Sequence, residues 1–266
     1  MGMLLGCAVL AAVQVDAKDS AHPDPRPLVP GGSAIVREVT DGDTVLLDRE
    51  ISGSREVRLV GLQAPKLPLG RAGFREWPLA KEAKAALAKM VLGRTVELGF
   101  GGTRVDRYGR LLAHLTRDDG LWVQGAMLEA GMARVYSFAD NRARVADMLV
   151  RERAARTERR GIWSHTYYAV RTPETVAKRI NSFELVEGTV LDVAIVSGRA
   201  YLNFGDNWRS DFTVSLASKV VRQFSQEGLR PESYKGRRIR VRGWLQSRDG
   251  PMIEATHPDQ IEVIDE

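Results

Sequence analysis

Between residues 34 and 62 the chain reads as short apolar and β-branched runs separated by polar turns. Ala34–Val39, Thr44–Asp48 and Arg55–Leu62 are predicted strands, the last two joined across the turn-like Glu50-Ile51-Ser52-Gly53-Ser54. Residues 64–77, rich in proline and glycine, read as a loop. The period then changes. Leu79, Ala83, Ala86, Leu87, Met90 and Val91 line one face of a helix over 79–92, opened by Pro78 and ended by Gly93. Strands follow at Thr95–Leu98 and Leu111–Leu115, around a basic loop. A short helix is predicted over Val123–Ala130, stopped by Gly131, and a longer one over Arg142–Arg160, stopped by Gly161. In the longer helix Val145, Met148, Leu149, Arg153 and Ala155 form a narrow core stripe under an arginine-rich face that reads as solvated.

Residues 165–182 show no apolar period and read as a linker. Beyond them strands are predicted at Glu184–Val196, Arg199–Phe204, Asp211–Leu216, Arg237–Leu245 and Met252–Ala255, with a last edge at Gln260–Ile264. A helix at Lys219–Glu227 falls between the third and fourth strands. That arrangement fits a small Greek-key barrel of the oligonucleotide-binding type over 183–266.

Composition adds a direction to this picture. The 266 residues are 44% hydrophobic and 27% charged, as in a soluble globular protein, and carry a net charge of +5. Residues 165–266 hold 14 Lys+Arg against 14 Asp+Glu, so the excess lies in the first part of the chain, at 25 against 20. A mild basic bias there favours an anionic partner. The apolar run Met3–Val15 is too short to span a bilayer and reads as a leader, with Val15-Asp16-Ala17 as a cleavage pattern. Leu4-Leu5-Gly6-Cys7 offers a lipoprotein site as the first alternative and an uncleaved anchor is the second; the expectation is export to the periplasm or the medium. Residues 18–32, with four prolines, read as an extended tether.

Three separated stretches carry chemistry. Asp41-Gly42-Asp43-Thr44-Val45 places two carboxylates around a glycine, on a strand expected to bulge there. Arg58 opens an apolar run that ends in Gln63-Ala64-Pro65-Lys66, and Asp106-Arg107-Tyr108-Gly109-Arg110 precedes a strand. Guanidiniums that bind phosphate oxygens and carboxylates that hold a cation are what phosphoryl transfer requires. His22, His114, His165 and His257 have no metal-ligand spacing.

With Gly131-Met132-Ala133 and Gly161-Ile162-Trp163 added, the ordered motifs from about Ser33 to Trp163 resemble the staphylococcal nuclease (thermonuclease) family. The resemblance implies a domain over 33–164: a five-stranded barrel of the oligonucleotide-binding type with three helices. It also implies calcium-dependent cleavage of DNA and RNA. By position, Asp43 matches the metal-binding aspartate, Asp41 the outer acidic residue, and Arg58 and Arg110 the two catalytic arginines. Arg107 and Tyr108 match contacts to a terminal phosphate, and Tyr136 stands near the family's aromatic wall.

The departures lie at Gln63, in place of a carboxylate ligand, and at Lys66, in place of the general-base glutamate. A glutamine carbonyl can ligate calcium but adds no charge. Lysine accepts no proton until it is deprotonated, so metal binding and hydrolysis are expected to be weak or lost. Glu76, in the following loop, is a candidate substitute base.

Downstream, period two places Arg238, Arg240 and Arg242 on one strand face, opposite Ile239 and Val241. That face could follow a phosphate backbone, dock on the first barrel, or meet a protein partner. The expected function is binding of single-stranded DNA or RNA at a degenerate nuclease site. A working metal-dependent nuclease and an interaction module without activity are the alternatives.

Overall fold

In the computed structural model, which describes residues 27–264, β1 (Val29–Asp41), β2 (Thr44–Ile51) and β3 (Ser54–Leu59) form an antiparallel meander. After the short β4 (Leu62–Gln63) and α1 (Ala80–Val91) come β5 (Thr95–Phe100) and β6 (Leu111–Arg117). β6 pairs antiparallel with β5 and parallel with β3, and β5 returns to β1, closing the barrel in the order β1-β2-β3-β6-β5. Alternation supplies its core: Val36, Val45, Val57, Leu98 and Leu115 point inward, and α1 covers one end with Ala83, Leu87 and Val91, as its period predicts. α2 (Val123–Glu129), β7 (Arg134–Val135) and α3 (Val145–Thr157) follow, with β7 pairing to β4 outside the barrel.

The second unit begins with β8 (Phe183–Thr189), which continues past Val190 and Leu191 into β9 (Asp192–Val196). β10 (Arg199–Asn203), β11 (Thr213–Leu216), α4 (Ser218–Gln226), β12 (Arg238–Ser247), β13 (Pro251–Ala255) and β14 (Ile261–Val263) complete it. β8 pairs with β12 while β9 pairs with β10, so this continuous segment links β12 back to β10. β11 runs parallel to β13, as β3 does to β6, and α4 lies between third and fourth strands as α1 does. One strand topology is therefore used twice.

Several boundaries differ from those expected. Val29 and Pro30 pair with Phe100 and Gly99 of β5, so the first barrel starts inside the stretch read as tether. The leader with Cys7 and Ala17, and the tether through residue 26, lie outside the described residues. The strand expected over Arg55–Leu62 breaks at Gly61, whose φ of 83° turns the chain away from the barrel. The Asp-Gly-Asp stretch is a hairpin turn: Asp41 pairs with Thr44 across Gly42 and Asp43, next to a register shift at Val39. A Cβ on Gly42 would lie 2.7 Å from Ala64 Cβ and 2.9 Å from Ala83 Cβ, so the turn is wedged against the barrel's helix.

The supposed linker is a packed joint. Tyr168 and Trp163 are buried with Ile162, Phe183 and Leu185, and the Tyr168 hydroxyl donates to Pro78 O at 2.7 Å. The largest correction concerns the strand arginines. Arg242 is only 1% exposed and donates to both oxygens of the wholly buried Glu152 on α3, at 2.9 and 3.0 Å. It also bonds to Glu262, at 2.5 Å, and to Val135 O, at 3.4 Å, while Arg240 pairs with Glu187 and Glu262. Arg238 is exposed and pairs with Glu187. Arg242 therefore meets the first barrel's α3 while Arg238 and Arg240 pair within the second unit, and the α3 face read as solvated contributes Glu152 and Arg153 to this joint. Charge alternation along one strand does not reveal whether the opposing charges come from phosphate or from another part of the chain. Among the described residues no helix is long and apolar enough to cross a membrane.

Candidate functional site

The hairpin turn between β1 and β2 delivers Asp43 into the barrel mouth with 0% exposure. Its Oδ2 accepts from Ala64 N at 3.0 Å, and Thr44 Oγ1 donates to its Oδ1 at 3.2 Å. Arg58, on the neighbouring strand directly across from Thr44, places Nη1 2.8 Å from Asp43 Oδ2. The same guanidinium is braced by main-chain carbonyls, including Leu62 O at 2.9 Å.

Lys66 completes this cluster. Its ammonium bonds to Asp43 Oδ2 and lies 3.2 Å from Asp41 Oδ2. Two carboxylates at one turn repel unless a positive charge lies between them, and here the ammonium takes that place. Burial works against the charge on Asp43, but Arg58 and Lys66 outweigh it and hold the carboxyl below its usual range. Burial lowers Lys66 from the ordinary lysine range, Asp43 pulls it back up, and Arg58 adds to the lowering.

Gln63 is turned elsewhere. Its Oε1 accepts from Arg134 Nε at 3.0 Å and Nη2 at 2.7 Å, across the β4–β7 pair. The glutamine carbonyl is thus committed to a buried guanidinium and does not join Asp41 and Asp43. Among the described residues no group of three or more metal-type side chains could hold an ion. Asp41 and Asp43 are instead paired with Lys66, and Asp43 also with Arg58. Glu76 is exposed, pairs with Lys81 at 3.6 Å, and is not drawn into the cluster.

The second arginine is set by its own loop. Asp106 Oδ2 accepts from Arg110 Nε at 2.8 Å and Nη2 at 2.6 Å, while Oδ1 accepts from the backbone N–H groups of Tyr108 and Arg110. Gly109, with φ of 82°, makes the turn between them possible. These bonds outweigh the opposing effect of burial and keep the Asp106 carboxyl below its usual range. Arg107 Nη2 donates to the Tyr108 hydroxyl at 2.6 Å, and the Tyr108 ring is 68% exposed.

Two adjoining cavities, about 500 and 690 Å³, share Arg58, Lys66, Tyr108 and Arg110 as walls. Arg107 and Tyr136 line the larger one. The structure thus gathers Asp41, Asp43, Arg58, Lys66, Arg107, Tyr108, Arg110 and Tyr136 around one mouth. It leaves Gln63, Arg240 and Arg242 in internal pairs. Sequence reading passed over Trp244, which also lines the larger cavity; it is the next residue on the Arg238–Arg240–Arg242 face, and that was the available signal.

The first unit is thus a closed five-stranded barrel with guanidiniums and aspartates at its mouth. Residues 56–165 match the family model described as staphylococcal nuclease homologue. An uncharacterized endonuclease of Escherichia coli O157:H7 is 33% identical over 132 residues, 48% of this chain and 75% of that protein. The thermonuclease of Staphylococcus intermedius is 29% identical over 113 residues, 42% of this chain and 65% of that protein. The probable staphylococcal-like nuclease CAN1 of Oryza sativa subsp. japonica is 35% identical over 108 residues, and the chain spans only 28% of its length. The chain belongs to the staphylococcal nuclease family.

Proposed function

We propose that this protein binds single-stranded DNA or RNA through its phosphodiesters and that metal-dependent hydrolysis is weak or absent. Arg58 and Arg110 grip phosphate oxygens, and Arg107 with Tyr108 contacts a terminal phosphate. The observation that carries this reading is the Lys66 ammonium between Asp41 and Asp43. It supplies positive charge beside the arginines, where a calcium ion would otherwise have to be held. General-base assistance, typically worth about 10²–10⁴-fold, is missing while Lys66 is protonated. The leader-like opening run supports placing this activity outside the cytoplasm.

The competing reading is hydrolysis by the same residues, and its support is that several relatives are named as nucleases or endonucleases. One assay separates the two. The full chain is incubated with single-stranded DNA or RNA in calcium, in other divalent ions and in EDTA. Binding that weakens with salt, persists in EDTA and is lost in Arg110→Ala is the expected result. Metal-dependent cleavage abolished by both Asp43→Ala and Arg110→Ala would overturn it. Absence of both binding and cleavage would leave an interaction module.

A further inference from the structure

The larger cavity has two chemically distinct linings. One is cationic, with Arg58, Arg107 and Arg110; the other is aromatic, with Tyr136 and Phe138 from the first barrel and Trp244 from the second. Trp244 Nε1 donates to the Tyr136 hydroxyl at 2.9 Å. Phe138 meets Tyr136 edge-on at a centroid distance of 4.8 Å. Phe183, from β8, touches both Tyr136 at 4.8 Å and Trp244 at 6.4 Å, so aromatic surface runs unbroken across the joint. Despite these contacts Trp244 is 45% exposed and Phe138 is 44% exposed. A large aromatic ring held at a cavity wall yet left half open offers a π-face to whatever enters.

The position is not accidental to the fold. Along β12 the side chains of Arg240, Arg242 and Trp244 fall on one face. Arg242 is locked to Glu152 and Glu262, and Arg142 ties the same joint together through Glu227 and Asp259, at 2.5 and 2.6 Å. Ser137, beside Tyr136, bonds to His257 of the second barrel at 2.8 Å. These bonds fix the depth at which the next side chain of the face meets the groove.

We propose that the second barrel completes the binding site, with Trp244 acting as a stacking platform for a base of the single strand whose phosphates the first barrel holds. The site is then composite. The first barrel supplies charge, the second supplies a sequence-tolerant aromatic surface, and the ligand is a single strand with unstacked bases. Duplex DNA, whose bases are already stacked, gains nothing from this ring. This rests on the phosphodiester-binding reading above.

The test uses the full chain and three probes: a short oligothymidylate, the matching abasic oligomer, and inorganic pyrophosphate. Base–aromatic stacking predicts that Trp244→Ala weakens the oligothymidylate by roughly 5- to 100-fold and leaves the abasic oligomer and pyrophosphate unchanged. The salt dependence of oligothymidylate binding keeps its slope, because no phosphate contact is removed. Trp244→Phe retains most of the affinity, which separates loss of a ring from loss of the bond to Tyr136. Unchanged oligothymidylate binding in Trp244→Ala overturns the proposal. So does an equal loss for abasic and base-bearing oligomers, which marks Trp244 as a structural part of the joint. Loss of pyrophosphate binding in Arg110→Ala, with Trp244→Ala inert towards bases, rejects only the composite site. Failure of the unaltered protein to bind any of the three rejects the phosphodiester reading together with it.

Discussion

The ammonium of Lys66 is hydrogen-bonded to the carboxylate of Asp43, a side chain with no solvent exposure, in the cleft between the turn and the loop that follows β4. Breaking such a pair from one side leaves a buried charge exposed to its neighbours' repulsion, whereas replacing both halves restores a balanced set. The pair therefore has a direct experimental handle.

Calcium is expected to leave the thermal midpoint of the unaltered protein unchanged. The double variant Gln63→Asp with Lys66→Glu places carboxylates at the end of β4 and on the loop after it, and should gain a midpoint that rises with calcium. At about ten times the dissociation constant the gain is about 1.4 kcal/mol. Differential scanning fluorimetry across a calcium series checks this, and a calcium-dependent rise in the unaltered protein would contradict it.

Arg242→Ala is expected to destabilise the chain by about 3–5 kcal/mol, since it strands Glu152 and Glu262 in the joint without their shared partner. Arg238→Ala, at the exposed end of the same face, should cost less than about 1 kcal/mol. Urea unfolding of the two variants makes the comparison. Equal effects would mean that the joint tolerates water around the arginine.

Acid should loosen the same joint. Burial opposes the charge on Glu262, but Arg242, Arg240 and Arg156 prevail and bring its carboxyl down to about 2 from an ordinary 4.5. A carboxyl lowered in the folded state stabilises fully above its unfolded value, and that contribution fades as pH falls from about 4.5 towards 2. The contribution is on the order of 3 kcal/mol. Stability measured against pH should therefore fall less steeply over this window in Glu262→Gln, from a lower starting level at pH 7.

Gly42→Ala is expected to destabilise by about 1–3 kcal/mol, because the added methyl meets Ala64 and Ala83 below 3 Å. The turn itself tolerates alanine, as Gly42 is not among the residues of positive φ. A compensating Ala83→Gly in the same chain should recover part of the loss in a denaturant titration.

Most of the barrel was legible because its signals are local. The alternation in β2 and β5, the helical stripe of α1 and the glycine stops at Gly93 and Gly131 each act within a few residues. Asp43, Arg58 and Arg110 could be placed because ordered motifs tied them to a known barrel mouth. What escaped depends on partners far along the chain. Glu152 reads as one more charge on an arginine-rich helix until Arg242, 90 residues later, is seen against it. Gln63 reads as a weakened ligand until Arg134 is found holding its carbonyl. Trp244 reads as the end of a strand until its barrel is docked beside Tyr136. At Asp41 the expected bulge is present as the register shift between Val39 and Asp41, but the Asp-Gly-Asp stretch beside it is the hairpin turn itself.

A bound metal ion is borrowed from the surroundings, and a protein that depends on one follows its supply. The positive charge between Asp41 and Asp43 is instead part of the polypeptide, carried on the side chain of Lys66. No chelator strips it, no shortage empties it, and no competing ion displaces it. The cationic group at this barrel mouth is written into the sequence and does not depend on a supply of metal.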